Sequence, residues 1–255
     1  MVILKSPEEI EKMSLSCLIV ARTLDYLRDK IKPGITTRTI DQLVESFIRD
    51  HEALPAFKGY RGYPASICAS VNEEIIHGIP NNRELEDGDI LGIDLGVYKD
   101  GFYGDAAFTF PIGEIDQEAE RLLRVTEESL YLGIENARAG KRVSDISHSI
   151  QTHIESNGFS VVRAFVGHGI GRNLHEDPQI PNFGLPGRGA RLQPGMTLAI
   201  EPMVNEGGHE VVILEDGWTA VTMDGRRSAH FEHTVLVTAD KPVILTKTNE
   251  KDYII

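Results

Sequence analysis

The alternation of apolar and polar positions is sharpest between residues 90 and 110. Residues 90–98 (ILGIDLGVY) and 102–110 (FYGDAAFTF) each read as a strand, and Asp100-Gly101 between them is the favoured two-residue hairpin turn. That turn sets the register, with Lys99 opposite Phe102 and Gly96 opposite Asp105. One face then carries Leu91, Ile93, Leu95, Val97, Phe102, Ala106, Phe108 and Phe110. The other carries Gly92, Asp94, Gly96, Tyr103, Asp105, Ala107 and Thr109. Asp94 and Asp105 become diagonal neighbours on that second face, roughly 7–8 Å apart at the backbone. Two unpaired carboxylates so close repel, which calls for a cation, although the pair taken alone also fits a solvated hairpin face.

Around the hairpin the pattern changes to helical spacing. Ser6-Pro7-Glu8-Glu9 is a capping box with proline at the first helical position, so a helix opens there and runs toward Lys30, before Pro33-Gly34. Ile40, Leu43, Val44, Phe47 and Ile48 give a second helix over residues 38–51. Residues 53–80 are rich in Gly, Pro and Tyr and read as loop with short strands. After the hairpin this order repeats. Asp116 caps a long helix reaching Ala139, Gly140 ends it, and a shorter helix over residues 144–156 closes at Asn157-Gly158. At an offset of 106 residues Gly34 falls on Gly140, Ile40 on Ile146, Val44 on Ile150 and Ile48 on Ile154. Each half also supplies a His-Gly-Ile triplet, at His77 and at His168. This reads as an internal duplication, with halves 1–112 and 113–255 related by a pseudo-twofold axis. Mostly antiparallel strands follow over residues 160–166, 196–204, 211–214, 218–223 and 229–237, with Asp216-Gly217 and Asp224-Gly225 as further hairpin turns. Helices grouped around antiparallel strands make the class α+β.

Composition narrows the function classes. A chain of 255 residues with 41% hydrophobic content can bury a full core. Its charged start is unlike a signal peptide, and no apolar run is long enough to span a membrane. Two cysteines, Cys17 and Cys68, make no disulfide framework and fit a reducing cytosol. A net charge of −13 argues against a nucleic-acid surface.

Three further residues fit a metal site with the Asp pair. His168 lies in VGHGIG (166–171), where small neighbours let the backbone come close to a ligand. Glu201 ends the apolar run 196–200, just before Pro202. Glu232 sits inside FEHTV (231–235), a strand too hydrophobic to hold a free carboxylate. Singly, His168 also fits a loop histidine and each glutamate a strand-edge charge. Together, four carboxylates and one imidazole form an oxygen-rich set suited to Mn, Fe, Co or Zn as divalent ions in a catalytic role. Carboxylates bridge, so the set is large enough for two ions about 3.5–4 Å apart. The chemistry implied is hydrolysis.

Five segments carry a family resemblance: PAFKGYRGYPASICASVNEEIIHGIP (55–80), IDLGVYKDGFYGDAA (93–107), GHGIGRNLHEDPQIPNFG (167–184), MTLAIEPMV (196–204) and SAHFEHTVLVT (228–238). In this order the chain resembles the type I methionine aminopeptidases of bacteria over essentially its whole length, without the amino-terminal extension of eukaryotic members. The resemblance implies the pita-bread fold, a single catalytic domain over 1–255 with a central antiparallel sheet and outer helices. It implies removal of the initiator methionine from new polypeptides with a small second residue. It assigns five metal ligands, Asp94, Asp105, His168, Glu201 and Glu232, with a bridging hydroxide as nucleophile and Glu201 as its proton shuttle. His175 would stabilise the tetrahedral intermediate and His77 would hold the scissile amide nitrogen. The methionine side chain would lie among Tyr60, Tyr63, Cys68 and Trp218, with Phe57 at the mouth. Leu174 departs from the aromatic residue that many bacterial members place before the histidine, which bears on pocket shape. His230 and His233, flanking Glu232, read as structural.

The expected partners are nascent polypeptide amino termini and, as a candidate, the ribosome, met through a local basic patch such as Arg188 and Arg191. The expectation is a cytoplasmic monomer with no membrane and no specific nucleic-acid partner. Two rivals remain at this point, an X-Pro aminopeptidase or prolidase of the same fold and a non-catalytic binding module.

Overall fold

The computed structural model of the chain describes residues 2–248. Its four helices start where capping chemistry places them. α1 (Pro7–Arg28) opens on Ser6, whose hydroxyl accepts from the Glu9 amide while the Glu9 carboxylate accepts from the Ser6 amide at 2.8 Å. α2 (Thr37–Asp50) opens on Thr36, and α3 (Gln117–Glu135) on Asp116, whose carboxylate takes the Ala119 amide at 2.8 Å. α3 ends short of Ala139 because the Asn136 side-chain amide turns back to the Leu132 carbonyl. α4 (Val143–Ser156) matches α2 residue for residue, and the two dock alike. The Gly34 N–H donates to the Leu85 carbonyl at 2.8 Å, and the Gly140 N–H to the Leu192 carbonyl at 3.2 Å. Both glycines sit at φ +88, a left-handed conformation that strains other residues.

Before α3 the chain forms β1 (Leu54–Pro55), β2 (Ile67–Val71), β3 (Glu74–Ile76), β4 (Ile90–Lys99) and β5 (Phe102–Pro111). After α4 come β6 (Ser160–Val161), β7 (Val166–Gly169), β8 (Glu176–Pro181), β9 (Thr197–Ile200) and β10 (Met203–Asn205). The chain continues through β11 (Val211–Ile213), β12 (Ala220–Thr222), β13 (Ser228–His230), β14 (His233–Leu236) and β15 (Val243–Ile244). β1, β2 and β5 all pair with β4, and a second sheet runs β15-β14-β9-β7-β8. Smaller sheets run β13-β10-β6 and β11-β12-β3, the latter joining a strand from before α3 to two from after α4.

The β4–β5 register is the expected one, Lys99 opposite Phe102 and Gly96 opposite Asp105, around a turn with Asp100 at φ 52 and Gly101 at φ 89. Of its apolar face, Leu91, Ile93, Leu95, Val97, Phe102, Ala106 and Phe110 are buried. Val20, Leu24 and Leu27 of α1 and Ile40, Val44 and Ile48 of α2 share one core with Leu91, Ile93, Leu95 and Val97. The second core packs Leu122 and Val125 of α3 and Ile146, Ile150 and Ile154 of α4 against Leu198, Ile200, Val204 and Val235. Phe108 touches both cores.

Three expected strands are broken. The run over 160–166 forms β6 only at Ser160–Val161 before β7 opens at Val166, the run over 196–204 splits at Glu201-Pro202, and the run over 229–237 splits at Phe231-Glu232. β9 pairs with β14 and β10 with β13, so one ladder kinks at the latter two breaks together. Proline lacks the N–H that an unbroken ladder needs, and Glu232 turns its backbone to Ala107 of β5 instead, donating at 2.9 Å. Glu232 therefore lies between strands and not inside one. Asp224-Gly225 is likewise not a hairpin turn, because β12 and β13 belong to different sheets. The Asp224 carboxylate accepts from the Gly208 and Arg226 amides and fixes the crossing between them.

α1 lies against β5 with no slack. A Cβ on Gly104 would stand 2.7 Å from the Cys17 nitrogen and 2.9 Å from its Cα. Gly104→Ala is expected to lower stability by about 1–3 kcal/mol through overpacking, read as a shift in a urea midpoint with unchanged slope.

Candidate active site

The face of β4–β5 opposite the core starts the site. Asp94 stands two residues from Gly96, the partner of Asp105, so both carboxylates leave the sheet on one side. Cys68 of β2 is the cross-strand partner of Asp94 and shares that side. Strands from after α4 are pinned along the edge of β5 that β4 leaves open, by reciprocal hydrogen bonds. Thr234 Oγ1 accepts from the Asp105 amide at 3.1 Å and donates to the Asp105 carbonyl at 2.8 Å. Thr109 does the same toward His230, donating at 2.8 Å and accepting at 2.9 Å. Together with the Glu232–Ala107 bonds, these contacts bring Glu232 to Asp105.

His168 arrives on β7, opposite Ala199 of β9. A Cβ on Gly167 or Gly169 would run into the carbonyl oxygens of Ala199 and Asp177, so only glycine lets the strands close around the histidine. Nδ1 of His168 lies 2.9 Å from the Gly169 carbonyl, which fixes it as the protonated nitrogen and frees Nε2 as a lone-pair donor. Nε2 stands 3.5 Å from Oε1 of Glu201, which projects from the break between β9 and β10. Ligand atoms of Asp105, His168 and Glu232 all lie within 4.8 Å of one another, and all three residues are buried.

The electrostatics are those of an anion cluster. Asp94 Oδ1, Asp105 Oδ1 and Glu232 Oε1 are buried without a hydrogen-bond partner. Burial pushes all four carboxyls above their ordinary range, and Glu232 and Asp94 push Asp105 further. Burial also holds His168 down, to about 4, so its imidazole is neutral at physiological pH. Orphaned acceptor oxygens around a neutral imidazole are a donor set for a hard or borderline divalent cation.

A cavity of about 140 Å³ opens onto this cluster. Its wall brings together Asp94, Asp105, His168, Glu201 and Glu232 with His77, His175, Phe57, Tyr60, Tyr63, Cys68, Leu174 and Trp218. Tyr63 is fixed by bonds from its hydroxyl to the Ile67 and Gly78 carbonyls, at 3.1 and 2.9 Å, and meets Trp218 edge-on at 5.1 Å. His77 has φ 60, a strained value that sets its ring edge-on to Phe165 at 5.6 Å and Trp218 at 6.4 Å. His175 meets His168 ring to ring at 4.3 Å, and its Nδ1 lies 2.8 Å from the Tyr60 hydroxyl. Partial desolvation of the ring in the wall, then the nearby His168, Arg61 and His77, hold its imidazole below the ordinary range although the residue keeps an exposed side. A larger depression of about 520 Å³, between α1 and α3, contains none of these ligand-type side chains.

Two features escape a reading of the sequence. Arg61 joins the cavity wall, signalled only by its place between Gly59 and Gly62. His230 is buried, with Nε2 unpartnered and 3.9 Å from Oε2 of Glu201. His233 is structural as expected, its Nδ1 2.9 Å from the Thr246 hydroxyl.

A family model, Metallopeptidase family M24, matches residues 11–239. The chain belongs to this family. Among its M24 relatives, a methionine aminopeptidase of Clostridium perfringens is 56% identical over 96% of this chain and 99% of that protein. The crystal structure of methionine aminopeptidase from Thermotoga maritima superposes with a TM-score of 0.95 at 51% identity, covering 97% of this chain and all of that one. A prolidase from Pyrococcus furiosus shares the fold at TM-score 0.80 and 23% identity, with 66% of its length covered. The pita-bread fold of this M24 chain, antiparallel sheets within outer helices, is thus common to both kinds of enzyme.

Proposed function

We propose that the chain is a type I methionine aminopeptidase, removing the amino-terminal methionine of new polypeptides whose second residue is small. The observation that carries this reading is the cluster of orphaned carboxylate oxygens at the foot of an aromatic and sulfur-lined pocket. Relatives at 50–56% identity over nearly the whole chain are named methionine aminopeptidases, whereas the prolidase likeness stands at 23%.

Asp94, Asp105, His168, Glu201 and Glu232 would hold two divalent ions, of the Mn, Fe, Co or Zn group. Such ions supply a hydroxide nucleophile near neutral pH and polarise the scissile carbonyl. The chain's own groups do the rest. Tyr60, Tyr63, Cys68, Leu174 and Trp218, with Phe57 at the mouth, wrap the flexible thioether. Asp94 and its neighbours attract the free ammonium, which restricts cleavage to the first residue. Glu201 takes the proton of the nucleophile and passes it to the leaving amine. His175, neutral and hydrogen-bonded to Tyr60, donates to the oxyanion, and His77 holds the scissile amide nitrogen. Acting on chains as they are made, the enzyme would work in the cytoplasm, and we propose that it does so as a monomer. Exposed Arg188 and Arg191 offer a basic patch toward the ribosome on an otherwise acidic chain.

The test is release of methionine from Met-Ala-Ser with added Mn(II) or Co(II), beside Ala-Pro as the prolidase substrate. Met-Ala-Ser is expected to turn over and Ala-Pro not, and Glu201→Gln to lower kcat by about 100-fold or more. No methionine release from metal-replete protein would sink the reading.

A further inference from the structure

One group in the cavity wall is not needed by the metal set or by the thioether pocket. Arg61 is exposed at the mouth, on a loop that turns at Gly59 (φ 86) and Gly62 (φ 90), and is itself at φ 50. Its guanidinium lies 5.3 Å over the Tyr60 ring, and Tyr60 is held by His175. Cations on the two loops that carry Tyr60 and His175 are spoken for: Lys58 pairs with Glu45 at 2.6 Å, and Arg172 with Glu9 at 2.7 Å. No ion pair is recorded for Arg61 among the described residues. An unpaired positive charge thus stands at the rim of a cavity whose floor holds four carboxylates.

The substrate's ammonium is drawn to that floor, so Arg61 does not serve the amino end. The second residue is small and offers no long side chain. The third is the first that can present one at the mouth, about two strand rises from the scissile residue.

We propose that Arg61 is a specificity-determining residue that receives an acidic side chain at the third position of the polypeptide. This rests on the aminopeptidase reading. At long range the chain's net charge of −13 favours basic peptides. At the mouth the arginine reverses that preference. The pair is solvent-exposed, so the effect is modest and screened by salt.

The experiment compares kcat/KM for Met-Ala-Asp, Met-Ala-Ser and Met-Ala-Lys peptides of equal length on metal-loaded enzyme. The Asp peptide is expected to exceed the Lys peptide by about twofold to fivefold at low salt, within the span of an exposed ion pair. The ratio should fall toward one near 0.5 M salt. Arg61→Asn, which tolerates a left-handed backbone, should abolish the preference, and Arg61→Asp should invert it. Each ratio is taken within one protein, so partial misfolding of a variant cancels. If neither variant folds, the salt dependence of the parent decides. A parent ratio of one at low salt, or a ratio retained in both variants, overturns the proposal. Failure of the parent to cleave Met-Ala-Ser would instead count against the aminopeptidase reading.

Discussion

Asp105→Asn is expected to abolish methionine release while making the metal-free protein more stable. The two effects share one cause. Asp105 is buried against Glu232 and Asp94, and these carboxyls are pushed up by burial and by one another. Without a cation, ionising them inside the fold costs more than in the unfolded chain, whose carboxyls titrate near 4. Between that pH and the raised folded values the native state binds more protons than the unfolded state. Stability of metal-free protein therefore falls as pH rises through this window, which extends to about 7 for Asp94. Each group contributes a slope of about 1.4 kcal/mol per pH unit. Asparagine keeps the shape and removes a group that must either be charged among its neighbours or take up a proton on folding. In chelator at pH 7.5 its melting temperature should exceed the parent's by about 2–4 °C, the shift worth roughly 1 kcal/mol at this size. Activity with Mn(II) should fall by more than the roughly 10–100-fold that even an outer partner of a metal ligand is worth. Calorimetry with and without chelator checks both signs. A lower melting temperature for the metal-free variant would contradict the account of Asp105 as a group that the metal-free fold holds at a cost.

How much of this was legible in the chain depends on how local the cause is. The Asp100-Gly101 turn fixes the β4–β5 register by itself, so the shared face of Asp94 and Asp105 follows from sequence. Ser6 and Asp116 cap helices through bonds three residues away, and these too are readable; Thr36 caps α2 in the same way, where apolar spacing alone opens the helix at residue 38. The break at Phe231-Glu232 was not readable, because the apolar run looks continuous and what divides it is the approach of Ala107 from another sheet. Pro202 does signal the break at Glu201-Pro202, and the apolar run around it masks that signal. The meeting of His168 with Glu201 and Glu232 likewise depends on β7, β9 and β14 pairing over long sequence separations. No periodicity encodes that, and the family resemblance supplied it. The misread turn at Asp224-Gly225 has the same origin, because a turn dipeptide specifies a reversal without naming the strand beyond it. Arg61 stayed hidden because an arginine between glycines on a loop looks like ordinary solvated charge.

Lys5→Met should cost about 3–5 kcal/mol of stability, far more than a surface lysine is worth. Lys5 and Glu176 form an ion pair whose side chains are 2% and 3% exposed. Lys5 is held by its own backbone, which donates to the Gly195 carbonyl at 2.8 Å. The other oxygen of Glu176 accepts from the Asn173 amide at 3.1 Å, so the carboxylate anchors the turn that carries Leu174 and His175 into the cavity. Gly171 packs on the lysine stem so closely that any Cβ there would strike Lys5 Cε. Removing the ammonium leaves a buried carboxylate without its counter-charge, whereas removing both charges leaves a nearly isosteric polar contact. The double variant Lys5→Met/Glu176→Gln should therefore recover most of the loss, which a double-mutant cycle by urea unfolding reads directly. Below the melting transition, the single variant should also lose kcat on Met-Ala-Ser more than it gains in KM, since the loosened turn misplaces His175 and leaves the thioether pocket largely in place. Equal stability loss in the single and double variants would mean that packing of the lysine stem, and not its charge, holds the turn.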